Sequence, residues 1–357
     1  NPEGGGAMNT FHTVGDLNND DLLDIVVCGR NGKMAWFENQ GNKDQFQKHI
    51  IDTVENMECG GSLYDISGNG YLDIINGSDA QADEIYWWEN PGENDVSWHK
   101  RLIAKTNFQQ FHDTTIGDIK NQGKDYLVFT NQKGKYGGTN IYCIPFPENP
   151  AVTPWLGLEV IAEGKTEKNP GSENGKQPEE GLTIGDIDGD GKNELVAGTH
   201  WYKYKEGAWE SHKFAEDYIT TKIEIRDIDG DGNNEIILAE GDPCVYGKSQ
   251  GGKLGWFQPG EDITSLWEEH ILAENLLDAH TLQLGDINQN GHPDILTGEV
   301  GVSNAEREYI KTDPGIMIFE NKGKGKFKQH IIDKGTGIHD ALLRDMNNNG
   351  TLDIVGK

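Results

Sequence analysis

Residues 181–198 read GLTIGDIDGDGKNELVAG and residues 222–241 read KIEIRDIDGDGNNEIILAEG. In each, residues of alternating character lead to an Asp, then a ladder of Asp and Gly ending in Glu, then a compact apolar run. That is strand, oxygen-rich turn, strand; the loop of an EF-hand needs flanking helices instead. The same phrase begins seven times, at Asp16, Asp65, Asp118, Asp186, Asp227, Asp286 and Asp345, spaced about 49, 53, 68, 41, 59 and 59 residues apart. Those intervals suit a four-stranded propeller blade plus insertions.

The stretch around Asp16 shows all four strands of one unit: FHTVGDL, LLDIVVCGR, KMAWFENQG and FQKHIID. The third phrase returns as IYWWENPG, KLGWFQPG and IMIFENKG, the fourth as WHKRLIA, WEEHILA and FKQHIID. Units this short cannot each bury a core alone, which disfavours a string of separate sandwich modules. The expectation is an all-β chain, residues 1–357 forming a single seven-bladed β-propeller with calcium-binding hairpin loops. The sequence runs out at Thr351–Lys357 in the second strand of the seventh unit, so that blade reads as incomplete and the chain as a fragment of a longer protein.

The 357 residues carry 47 glycines and only 34% hydrophobic residues, as many tight turns between short strands require. A formal charge of −29 argues against nucleic acid and anionic membranes. No apolar run is long enough to span a bilayer, so membrane insertion is not expected. The four cysteines, at 28, 59, 143 and 244, include no C-x-x-C pair, leaving disulfides or buried thiols open.

In the ladders, positions 1, 3, 5 and 9 offer side-chain oxygens, and Gly at position 6 permits the turn. Calcium takes six to eight oxygens and binds more tightly as carboxylates accumulate. Asp186, Asp188, Asp190 and Glu194 form one four-carboxylate set; Asp227, Asp229, Asp231 and Glu235 form another. Asp16, Asn18, Asp20 and Asp24 supply three carboxylates, and Asp286, Asn288, Asn290 and Asp294 two. The Asp65 and Asp345 units also keep two, and Asx turns held by hydrogen bonds alone explain them equally well. The Asp118 unit has Lys120 at a ligand position and is expected to bind nothing.

The ladder phrase resembles the FG-GAP/VCBS repeat of integrin-type propellers and of many secreted proteins. The repeat implies the fold and leaves adhesion, lectin and enzyme roles open. With the W-[WF]-E-N-P-G phrase and the histidines below, the chain looks most like the propeller of aldos-2-ulose dehydratase and its relatives; rhamnogalacturonan lyases are a more distant likeness. The resemblance implies a secreted or periplasmic protein.

In such repeats the strand before the ladder is innermost, running from the axial mouth to the ladder face. His112, His280 and His339 lie six residues before their ladder Asp and His12 lies four before. Even offsets place all four on one side of their strands. Converging imidazoles suit Zn2+ or a similar transition ion; metal-free histidine catalysis and an inert polar plug are the alternatives. Residues just after the second strands join the mouth: Arg30, Asp79, His200, Glu240, Asp242 and Glu299, with Trp201, Tyr202 and Tyr246 nearby. Glu58 and Glu180 occupy the inner-strand position in their units. Excursions at 145–177, 244–253 and 300–313 are expected to wall a pocket.

The first functional expectation is a carbohydrate lyase or dehydratase performing β-elimination. The axial metal would acidify a C–H beside a carbonyl, Glu180 would act as base with His112 as partner, and His200 and Arg30 would assist. The second is a carbohydrate-binding, lectin-like or adhesive propeller without catalysis. No phosphate loop or H-E-x-x-H appears.

Overall fold

The computed structural model describes residues 8–30, 32–42, 45–54, 56–92, 96–132, 139–163, 180–244, 246–248, 250–301 and 313–357. Much of the 145–177 and 300–313 excursions, and positions 245 and 249, lie outside the described residues.

Six antiparallel four-stranded sheets follow one another in chain order, each a simple up-and-down meander. Their innermost strands are Met8–Gly15, Met57–Tyr64, Gln109–Gly117, Leu182–Gly185, Thr221–Arg226 and Thr281–Gly285. Successive inner strands pack on one another, and the circle closes where Ala341–Arg344 meets Met8–Gly15. The chain is an all-β propeller. The count of seven blades needs correction: the Asp345 unit forms a two-stranded hairpin, Ala341–Arg344 with Asp353–Gly356, beside six four-stranded blades.

Apolar packing lies between the sheets. One cluster joins Ile75 and Trp87 of blade 2 to Leu127 and Phe129 of blade 3; another joins Val196 and Trp201 of blade 4 to Ile236 and Phe257 of blade 5. The Gly before a ladder Asp lets neighbouring inner strands approach this closely. A Cβ on Gly15 would sit 2.6 Å from Leu63, and one on Gly285 2.6 Å from Leu352.

All seven turns share one construction. Ladder positions 4 and 6 are left-handed, at Asn19 and Asp21, Gly68 and Gly70, and so on to Asn348 and Gly350. This explains the Asn and Gly there. The first Asp accepts backbone N–H groups from inside the turn, as Asp65 does from Asn69 at 3.1 Å and Gly70 at 3.0 Å. Asp118 does the same with Gln122 and Gly123.

The ladders also hold their neighbours. Asn19 Nδ2 donates to Gly70 O, Asn234 Nδ2 to Asp186 O, and Asn348 Nδ2 to Asp21 O across the closure. The Asn of the E-N phrase is a second latch: Asn90 reaches Leu17 O, Asn321 reaches Ile228 O, and Asn39 reaches Met346 O. The ladders therefore form a continuous rim on one face.

Candidate functional site at the axial mouth

The inner strands of all seven units enclose a cavity of about 290 Å3 along the axis. Its lining takes residues from every unit, among them His12, Cys59, His112, Gly181, Lys222, His280 and Asp340. At about 3.3 Å per residue, a group six places before its ladder Asp stands roughly 20 Å from the rim. Several inner strands break register near the mouth, between Met57 and Gly61 and between Phe111 and Thr114. Such bulges re-aim side chains without disturbing the rest of the strand.

The four histidines divide. His280 and His339 stack with ring centroids 4.2 Å apart, and His280 Nε2 lies 3.0 Å from Asp242 Oδ1. His112 Nδ1 lies 2.9 Å from Asp113 Oδ2, and its Nε2 is 3.5 Å from Glu180 Oε2. His12 Nδ1 lies 3.3 Å from Asp340 Oδ2, and its Nε2 is 3.2 Å from Val355 O. No point is shared by four imidazoles. The ligating atoms that gather, within 4.8 Å of one another, belong to Glu180, Asp242 and His280. Glu180 Oε2, His280 Nδ1 and His339 Nδ1 are buried without a hydrogen-bond partner.

Burial and charge set these groups apart. Burial pushes Glu180 above the usual carboxylate range, opposed by His112 and reinforced by Asp242. Burial alone would lower His112, yet Cys59, Glu180 and Asp113 outweigh it and hold the imidazole well above its ordinary value. Asp242 resists the upward push of burial because His280 and His339 face it, and stays below the ordinary range. His339 goes the other way: burial, His280, Lys357 and Lys222 keep it neutral. Lys222 stays charged despite burial because Asp113 and Asp340 surround it. Burial and neighbouring charge therefore favour the proton on His112 and Glu180 and disfavour it on His339.

Other expected residues sit differently. Arg30 pairs with Glu58 and lies 4.0 Å from Asp79. His200 opens a third strand, His200–Lys205, and is buried beside Thr199 and Tyr202. Trp201 and Tyr202 belong to inter-blade cores and are no part of a mouth wall, whereas Tyr246 feels Glu180 and Asp242. Glu240 and Glu299 are backbone acceptors: Glu240 takes Ile219 N and Lys253 N, Glu299 takes Leu277 N and Gly315 N. All four cysteines are free thiols. Sequence reasoning passed over Asp113 and Asp340 as site residues, although FHD and IHD write each beside a histidine.

On the rim, Asp186, Asp188 and Glu194 gather their oxygens, as do Asp227, Asp229 and Glu235. Where a four-stranded blade has Asp at position 9, both oxygens serve backbone, as Asp24 takes Leu17 N at 3.0 Å and Asn39 N at 2.8 Å. Glu235, one methylene longer, gives only Oε2 to Ile228 N at 2.8 Å and leaves Oε1 buried and unpartnered. An all-oxygen set with an orphaned carboxylate oxygen fits a hard divalent cation.

The chain compares with known proteins mainly at the level of fold. The description "FG-GAP-like repeat" matches residues 16–76, from the first ladder into the second blade. No curated protein matches. The crystal structure of BBS1N in complex with ARL6DN is similar at TM-score 0.56 and 10% identity, covering 100% of this chain and 91% of that one. The rhamnogalacturonan lyase YesW is similar at TM-score 0.49 and 13% identity, over 98% of this chain and 70% of that one. The V. cholerae biofilm matrix protein Bap1 is similar at 0.39 and 15%, over 89% and 41%. At these identities the likeness concerns the fold and says nothing of chemistry. Among the described residues no helix is long and apolar enough to cross a membrane.

Proposed function

We propose that the axial mouth binds a carbohydrate and carries out a cation-assisted elimination on it, as a carbon–oxygen lyase of a secreted or periplasmic protein. The observation that carries this reading is the gathering of Glu180, Asp242 and His280 around unpartnered buried donor and acceptor atoms. His280 and Asp242 would hold Zn2+ or a similar transition ion, leaving Glu180 beside it as the base. Such an ion supplies a Lewis acid that acidifies the C–H beside a sugar carbonyl or carboxylate.

The chain's own residues do the rest. Glu180, with a raised affinity for protons, is the base that takes the C–H proton. His112, held protonated by Asp113, is the acid that returns one to the departing oxygen. Lys222 balances the carboxylates beneath. The resemblance to aldos-2-ulose dehydratase supports the same reading.

Glu180→Gln is expected to keep the cation and lower turnover by ~10²–10⁴-fold, measured as ultraviolet absorbance of unsaturated product. In the parent, the rate should fall as pH drops through the raised Glu180 pKa. His280→Ala should lose the cation by metal analysis while staying folded. If both variants bind sugar as the parent does and neither parent nor variants turn it over, the carbohydrate-binding reading replaces the enzyme.

The ladder of Asp227, Asp229, Asp231 and Glu235 is proposed as the foremost structural calcium site of the rim. A cation that binds only the folded chain stabilises it, so chelation with EDTA should lower the melting temperature. An indifferent melt would remove calcium from the account.

A further inference from the structure

The ladders at Asp186 and Asp227 are alike in sequence yet differ in one facing residue. On the third strand of each blade, one position stands opposite ladder position 9. It follows from the registers Leu195↔Tyr202, Ile236↔Phe257, Ile25↔Phe37 and Ile295↔Phe319. That position is Lys203 in blade 4, Gln258 in blade 5, Glu38 in blade 1 and Glu320 in blade 6.

Where the ladder has Asn at position 3, the facing residue is an acid that meets it: Asn18 Nδ2 donates to Glu38 at 3.2 Å and Asn288 Nδ2 to Glu320 at 3.2 Å. Each acid is also paired outward, Glu38 with His49 at 2.8 Å and Glu320 with His330 at 2.9 Å. In blade 4 the pattern inverts. Lys203 Nζ lies 2.5 Å from Asp188, 2.7 Å from Asp190 and 3.2 Å from Glu194. In blade 5 the neutral Gln258 donates to Asp229 at 3.1 Å, and Glu235 Oε1 has no partner.

We propose that Lys203 is a built-in counter-ion: its ammonium occupies the cation position of the blade-4 ladder, which holds no metal. Blade 5, with the same carboxylates and no lysine, offers that position to a divalent ion. The facing residue, more than the ladder sequence, then decides which turn takes calcium. An ammonium brings one charge and three donors to carboxylates that would otherwise repel. It is tethered, so no free ion need be captured.

This deepens the calcium reading of the Asp227 ladder and is tested independently of it by equilibrium titration with Ca2+ on the full chain. Asp188→Asn is expected to leave the number of bound calcium ions unchanged, and Lys203→Gln to add one per chain. Asp229→Asn should remove one, which tests the blade-5 site alone. A calcium ion lost in Asp188→Asn, or none gained in Lys203→Gln, overturns the proposal. If Asp229→Asn changes nothing, the blade-5 reading fails while a gain in Lys203→Gln still upholds Lys203. Should Lys203→Gln fold only with calcium present, its melting temperature must rise with added Ca2+ while the parent's blade-4 response, read as the parent minus Asp188→Asn, stays at zero. A rise common to parent and variant but missing from Asp188→Asn would again overturn it.

Discussion

The rim and the mouth are made by the same seven strands and obey different rules. On the rim each blade repeats one solution, in which left-handed positions 4 and 6, a capping Asp and an inter-blade amide recur with little change. At the mouth, about 20 Å away along the same strands, the group changes round the ring, histidine in three units and Cys59, Gly181, Lys222 and Asp340 in the others. Repetition marks where side chains serve the backbone, and variety marks where they face something else. A repeat fold thereby separates its structural and functional residues by height along the axis.

The sharpest test of that division is stability. Asp73 is fully buried and accepts Ile66 N at 2.9 Å, Ser67 N at 2.8 Å and Asn90 N at 2.7 Å. Asp73→Ala orphans these donors and is expected to cost ~3–5 kcal/mol in denaturant unfolding. His280→Ala should cost far less, and equal losses would break the comparison.

A smaller effect is expected from pH. Burial pushes Glu224, in the channel below Lys222, up to about 7 against the pull of Arg344 and Arg226. The folded chain therefore holds a proton that the unfolded chain releases near pH 4.5. That contribution is complete below pH 4.5 and is lost as pH rises through about 7. Melting temperature should fall over this window, and Glu224→Gln should flatten the fall. An unchanged slope in the variant would move the titration elsewhere.

The smallest is Asn348→Gly, which keeps the left-handed turn and removes only the bond to Asp21 O. About 1 kcal/mol is expected. No change at all would mean the rim bonds between blades carry no weight.

The fold was legible because the ladder phrase couples a period-2 pattern to a turn whose φ values only Gly, Asn and Asp accept readily. The blade count was overread: Asp345 announces a hairpin, and among the described residues that hairpin pairs with no third or fourth strand. The site was legible as a height on the strand. Offsets of four and six brought His12, His112, His280 and His339 to the channel, but not to one point. Their Cα positions follow from register, whereas their partners depend on bulges at Glu58–Gly60 and His112–Asp113 that no periodicity records. His200 illustrates the limit: counted as a residue after the second strand, it in fact begins the third, because the hairpin turns so tightly.

The circle closes without any shared sheet. Among the described residues, apolar clusters fill the interfaces from blade 1 round to the hairpin, and none bridges the hairpin and blade 1. That seam is polar, and His12 is one of its clasps, one ring nitrogen against Asp340 and the other against Val355 O. A wall of the cavity is thus also the hinge pin of the whole molecule. Thermal opening at the seam would dismantle the cavity before any blade melts, and a bound molecule touching both His12 and Asp340 would act as a rivet through the closure.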